Sequence, residues 1–196
     1  MVDNSHWWWI DPSIHDPRRR PQTPPSGPPQ TWYLPWHTNR RARGHSAGLL
    51  PYRRSEAGVL VFIAHMGGPF WAARDARAWS VIKGEYAPGA ENAQAAAARE
   101  FAEEIGAPAP QGEWVELGQV RQSSGKVVTA FAVPAPESLE FIESNLIEVQ
   151  WPPRSGRTIS VPEVDRAQWM PVADARGRLV AKQEIFLDRL VEVVGE

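Results

Sequence analysis

Three carboxylates at Glu100, Glu103 and Glu104 are the residues of this chain best suited to chemistry. They lie in the run Arg99-Glu100-Phe101-Ala102-Glu103-Glu104-Ile105-Gly106. If this run is helical, spacing at i, i+3 and i+4 places all three on one face. Three like charges there repel one another. Close to a helix C-terminus they also oppose the helix dipole. A divalent cation reverses both penalties. Clustered oxygen donors suit Mg²⁺ or Mn²⁺, which keep several waters and bind substrate phosphates. A solvated acidic helix face is the bland alternative. The repulsion is expected to raise the pKa of at least one of the three, so that they titrate as a coupled set.

The helix that must carry them is predicted from Asn92 to Ile105. Asn92 suits an N-cap, Ala95 to Ala98 are strong helix formers, and Gly106 stands where a C-cap glycine belongs. The stretch Gly84 to Ala107 resembles the Nudix hydrolase signature G-x5-E-x7-R-E-U-x-E-E-x-G-U, where U is apolar. Glu91, Arg99, Glu100, Phe101, Glu103, Glu104, Gly106 and Ala107 match it. Gly84 precedes Glu91 by one residue more than the pattern allows, which reads as an insertion near Ala90. Ala107 is a weak occupant of the last apolar position. The resemblance extends over residues 45 to 196 through SAGLLPYR, the GGPFW loop, WSVIKGEY, SSGKVVTAFAV and WPPRSGR, segments similar to a bacterial subgroup of predicted nucleotide pyrophosphohydrolases. That subgroup places proline where this chain has Ile82.

The resemblance implies an α/β fold, an α/β/α sandwich around a mixed sheet. It also implies hydrolysis of a nucleoside diphosphate linked to another group, with the three glutamates as metal ligands and an Arg99 to Glu91 pair tying loop to helix. The Gly84 carbonyl is a further candidate ligand, because loop carbonyls suit hard cations and glycine permits close approach. The expected catalytic set is Glu100, Glu103, Glu104, Arg99 and a general base, for which Glu148, Glu163 and Glu103 compete. Lys83 and Lys126 are candidate phosphate contacts as point charges, and Arg154 and Arg157 as bidentate ones. Surface roles stand beside these four readings. His65, His45, Phe70, Trp71 and Trp151 read as packing residues before ligands. A dinucleoside polyphosphate or nucleotide-sugar hydrolase is the alternative within the class. A non-catalytic ligand-sensing or interaction module is the alternative outside it.

Composition sets the remaining bounds. Of 196 residues, 42% are hydrophobic and 22% charged, as in ordinary globular chains. The net charge of −2 argues against general nucleic-acid binding. With no cysteine, thiolate metal sites and cysteine nucleophiles are excluded, which fits a cytoplasmic setting. No apolar run approaches a membrane span, and no secretory signal is read at the N-terminus. The expected partner is a nucleotide-like small molecule, with a homodimer left open.

Two regions are expected. Residues 1 to 44 hold eight prolines, five of the ten tryptophans and clustered arginines, with no helical or alternating period. Composition favours a disordered tail there. Packing of its tryptophans, or translation from an early start codon, are the other readings. Residues 45 to 196 form the expected domain. Strands are predicted at 46–53, 59–66, 79–84, 114–120, 126–133, 145–151 and, at an edge, 164–170. A short helix starts at Pro171. A terminal helix over 183–194 presents Ile185, Phe186, Leu187, Leu190 and Val194 as its buried stripe.

Overall fold

The structure, a computed structural model, describes residues 44 to 195 except Ala57. The tail reading of residues 1 to 43 lies outside them. Apolar alternation builds the sheet. Along β2 (Gly58–Met66), Val59, Val61 and Ile63 point to one face, and Phe62 and Ala64 to the other. The seven-stranded sheet runs β3 (Trp79–Ser80), β2, β1 (His45–Ser55), β6 (Val127–Pro134), β5 (Val115–Arg121). In addition, β4 (Ile82–Tyr86) pairs with β1, and β9 (Val164–Pro171) pairs with the free side of β2. Only β1 and β6 are parallel, so the sheet is mixed.

Helix α1 (Ala93–Ile105) covers one face with Ala96, Ala97, Phe101 and Ile105. Helices α2 (Val172–Arg178) and α3 (Glu184–Val194) cover the other with Ala175, Phe186, Leu187 and Leu190. This is the α/β/α sandwich. Each large side chain so buried is worth about 1.5–3 kcal/mol. The stripe of α3 is narrower than the sequence suggests: Ile185 is 37% exposed, because it lies one residue outside the face that Phe186, Leu190 and Val194 present to the sheet.

Two further departures affect the site. The expected strand 79–84 is divided at Val81. Its first part pairs with β2 and its second with β1, so it fills the gap where those two strands diverge. At the break the Val81 N–H donates to the buried Gln183 side chain at 2.9 Å instead of to a strand. The second departure is β8 (Thr158–Pro162), which follows the WPPRSGR loop. It pairs with β7 (Leu146–Gln150) as a separate two-stranded sheet. That hairpin is tied to α1 through residues 142–145, whose backbone N–H groups occupy the helix's terminal carbonyls. Ile142 and Glu143 donate to Ile105, at 3.0 and 3.3 Å, and Asn145 to Glu103, at 3.0 Å.

Candidate active site

The site is built where α1 crosses β4. Asn92 caps the helix by accepting from the Ala95 N–H at 2.7 Å, and Gly106 ends it in the left-handed region at φ 76°. This frame turns Glu100 and Glu104 inward, only 7% and 4% exposed, while Glu103 stays at the surface. The Lys83 backbone N–H donates to Glu104 Oε2 at 2.9 Å. Gly84 is the reason Glu100 fits. A Cβ at Gly84 would stand 1.6 Å from Glu100 Oε2, inside the carboxylate. The extra residue before Glu91 is taken up in a turn, where the Ala90 and Glu91 N–H groups both donate to the Ala87 carbonyl and Gly89 adopts φ 95°.

Arg99 organises the carboxylates. It donates to both oxygens of Glu91 at 3.3 and 3.0 Å, to Glu100 Oε1 at 2.6 Å, to Glu103 Oε2 at 3.3 Å and to the Glu85 carbonyl at 3.3 Å. Its hydrogen bond to Glu91 chiefly raises its already high pKa. The two inward glutamates are also raised, and burial is the first cause for each. For Glu100, Arg99 opposes burial while Glu103 and Glu163 add repulsion. Glu104 is pushed up to about 8. The Lys83 charge and N–H work against that rise, and Glu163 and Glu100 work with it. Repulsion within the set raises both, as the spacing predicts, but desolvation against β4 outweighs it.

Glu163, between β8 and β9, thus acts on both inward carboxylates. It is positioned from two sides. Asn145 Nδ2 donates to its Oε2 at 3.1 Å, and the Gly67 N–H donates to its carbonyl at 2.8 Å. Asn145 escaped the sequence reading, because its partners are distant in the chain and no local pattern marks it. Lys83 joins the cluster through its backbone and its charge. Lys126 Nζ pairs with Glu85 Oε1 at 2.9 Å, one residue beyond Gly84. Glu148 is not brought to the cluster: it is exposed on the β7–β8 hairpin and bonds to none of these carboxylates. Arg154 and Arg157 lie in the exposed loop of that hairpin, without an ion pair among the described residues. His45 and His65 are away from the carboxylates, His45 edge-on to Tyr86 and His65 buried beside Asp165. A shallow depression of about 310 Å³ beside Asn92 and Trp114 includes none of the carboxylates.

Among the described residues, no three His, Cys, Asp or Glu side chains already enclose a metal position. Glu100 and Glu103 are instead turned toward Arg99. The donor chemistry nevertheless fits a hard cation. Carboxylates outnumber Arg99 and Lys83, two are largely desolvated, and Gly84 leaves them room.

The NUDIX domain family model matches residues 43–190. The chain belongs to the Nudix family. It is accordingly a hydrolase of pyrophosphate bonds. No curated protein matches it in sequence. Among solved structures, the NUDIX domain of Shewanella oneidensis NrtR complexed with ADP ribose is 14% identical, with a TM-score of 0.52 over 79% of this chain and 90% of that one. A C. elegans Ap4A hydrolase binary complex is 17% identical, with a TM-score of 0.51 over 76% of this chain and 97% of that one. The M. smegmatis Nudix hydrolase RenU is 20% identical, with a TM-score of 0.50 over 79% and 88%. At these identities the likeness is one of fold. Among the described residues, no helix is long and apolar enough to cross a membrane.

Proposed function

We propose that this Nudix hydrolase cleaves a phosphoanhydride in a nucleoside diphosphate linked to another group, using Mg²⁺ or Mn²⁺ held by Glu100, Glu103, Glu104 and the Gly84 carbonyl. The observation that carries this reading is the pair of buried carboxylates, Glu100 packed on Gly84 and Glu104 accepting from the Lys83 N–H, with the charge of Glu163 acting on both. When bound, such a cation neutralises phosphate oxygens and lowers the pKa of a water. The protein supplies the rest. Arg99 holds Glu91, Glu100 and Glu103 in one array. Glu163, oriented by Asn145, accepts the proton of the attacking water; its position makes it a better candidate than the exposed Glu148. Lys83 and Lys126 contribute positive charge toward the substrate phosphates, with Arg154 and Arg157 reaching from the hairpin loop. The solved complexes with ADP ribose and of an Ap4A hydrolase make ADP-ribose and dinucleoside tetraphosphates the first substrates to set beside nucleoside triphosphates. The absence of cysteine supports a cytoplasmic setting.

The test is a nucleotide panel with Mg²⁺, read by phosphate, pyrophosphate and mononucleotide release. Glu103→Gln and Glu104→Gln are expected to lower turnover by about 10² or more, the scale on which lost electrostatic stabilisation acts. Wild-type turnover in both variants would refute the site. Nucleotide binding without cleavage of any panel member would favour the sensing module.

A further inference from the structure

His65 is fully buried near the end of β2, yet its ring meets an oxygen at each nitrogen. Nδ1 lies 2.8 Å from Asp165 Oδ1, and Nε2 lies 2.8 Å from the Arg74 carbonyl oxygen. A carbonyl only accepts, and so does an ionised carboxylate. A neutral imidazole carries one N–H, so one of these contacts would set lone pair against lone pair. Asp165 Oδ1 also accepts an N–H from Arg166 at 3.1 Å.

The other neighbours leave this conflict in place. Trp79 meets the imidazole edge-on at 5.1 Å. The Arg166 guanidinium stands 5.3 Å from the Trp79 ring. The Arg74 guanidinium is turned to Phe70 at 4.2 Å, so Arg74 presents only its carbonyl to His65. Asp75 is engaged by the Trp79 indole at 2.8 Å and by Arg178 at 3.1 Å.

We propose that His65 is a doubly protonated imidazolium whose two N–H groups clamp the loop after β2 to the start of β9, and so fix the backbone that carries Glu163. The register supports the second half. Met66 pairs with Val164 and His65 with Arg166, which leaves Asp165 as the extra residue of a bulge. Bulges re-aim the side chains beside them, and Glu163 is two residues away. Just past Met66, the Gly67 N–H holds the Glu163 carbonyl at 2.8 Å, and a Cβ at Gly67 would stand 2.0 Å from the Pro162 oxygen. His65 is thus a positioning residue, on the reading that Glu163 serves the active site.

The test uses the full chain labelled with ¹⁵N-histidine at neutral pH. Two-bond ¹H–¹⁵N spectra are expected to show both His65 nitrogens protonated. One unprotonated nitrogen would overturn the proposal, since Asp165 would then hold the proton. In Asp165→Asn the new amide can donate to Nδ1, so that nitrogen is expected to lose its hydrogen; a doubly protonated ring there would also overturn it. His65→Gln offers one donor and one acceptor in place of two donors. Amide exchange at Gly67 is expected to speed about tenfold or more as the local opening energy falls, with α1 amides unchanged. Should His65→Gln fail to fold, Asp165→Ala removes only the partly exposed partner and gives the same readout. Unchanged Gly67 exchange would refute the positioning role. None of these measurements uses turnover, so a chain inactive on every nucleotide would refute the substrate reading and leave the clamp standing.

Discussion

Replacing Glu104 with glutamine in metal-free protein isolates the cost of placing a carboxylate under β4. Glu104 is 4% exposed. Burial first, then Glu163 and Glu100, holds its carboxyl at about 8 in the fold, against 4.5 for an ordinary glutamate. Between those values the folded chain retains a proton that the unfolded chain has released. Stability therefore falls as pH rises, by about 1.4 kcal/mol per pH unit. The contribution is full below pH 4.5 and is lost by about pH 8, a span of about 5 kcal/mol. Glutamine keeps an acceptor for the Lys83 N–H and cannot ionise. Urea unfolding in EDTA, from pH 5 to 9, is the assay. Wild type and variant are expected to be closest at pH 5. The variant should become the more stable by several kcal/mol at pH 8 and above. Glu100 is raised in the same direction, and because it repels Glu104 the relief of that repulsion is part of the difference measured. Parallel pH profiles would show that Glu104 is ionised without strain, and the buried-carboxylate account would fail.

Gly84→Ala should drive the Glu100 carboxylate back by about 2 Å, since the new Cβ would start 1.6 Å from Oε2 and ordinary contact begins near 3.4 Å. Turnover is expected to fall by about 10² or more, with about 1–3 kcal/mol of destabilisation from overpacking; a fully active, fully stable variant would remove Glu100 from its assigned place. Gln183→Leu leaves the Val81 N–H unpaired in the core and should cost about 1–3 kcal/mol in urea unfolding. An unchanged midpoint would show that Val81 finds another acceptor. Arg99→Lys retains the charge but not the fork that spans Glu91, Glu100 and the Glu85 carbonyl. Turnover should drop about tenfold or more with a stability change within about 1 kcal/mol, whereas equal kinetics would deny Arg99 its positioning role.

The helix α1 was legible because its determinants are local: Asn92 accepts from a residue three positions on, and Gly106 caps within its own turn. The strands of the large sheet were legible from apolar alternation. The break at Val81 was not, because the group that satisfies its N–H is Gln183, 102 residues away. The β8 strand carries only Ile159 and Val161 among five residues, too weak a pattern to separate from the loop before it. Helical spacing placed Glu100, Glu103 and Glu104 on one face. It could not tell that two of them lie under β4 while the third stays exposed, since that depends on how the helix crosses the strand. Glu163 was legible only as one candidate among several. Its approach to the helix runs through Asn145 and the bulge at Asp165, and both are tertiary features.

The end of α1 shows where the fold gives up stability. A helix C-terminus favours basic side chains, yet the last turn of α1 has none. Its terminal carbonyls are satisfied by backbone N–H groups of Ile142, Glu143 and Asn145, and Gly106 is held so close to Glu143 that a Cβ would stand 2.9 Å from its backbone nitrogen. Neutral donors complete the hydrogen bonds without cancelling the dipole, so Glu103 and Glu104 sit in a potential already unfavourable to them. The same segment continues through Asn145 to Glu163 and brings one more carboxylate toward the pair. Opposite this, Phe101, Ala97 and Ile105 anchor the helix by its apolar face, and Arg99 ties Glu91, Glu100 and Glu103 but makes no bond to Glu104. The surplus negative charge is therefore held by the core beneath it rather than neutralised within the site. Such an arrangement destabilises the chain alone and is relieved by a cation. Under the proposed metal-dependent function, a cation at the carboxylates would supply the positive charge that the last turn of α1 lacks.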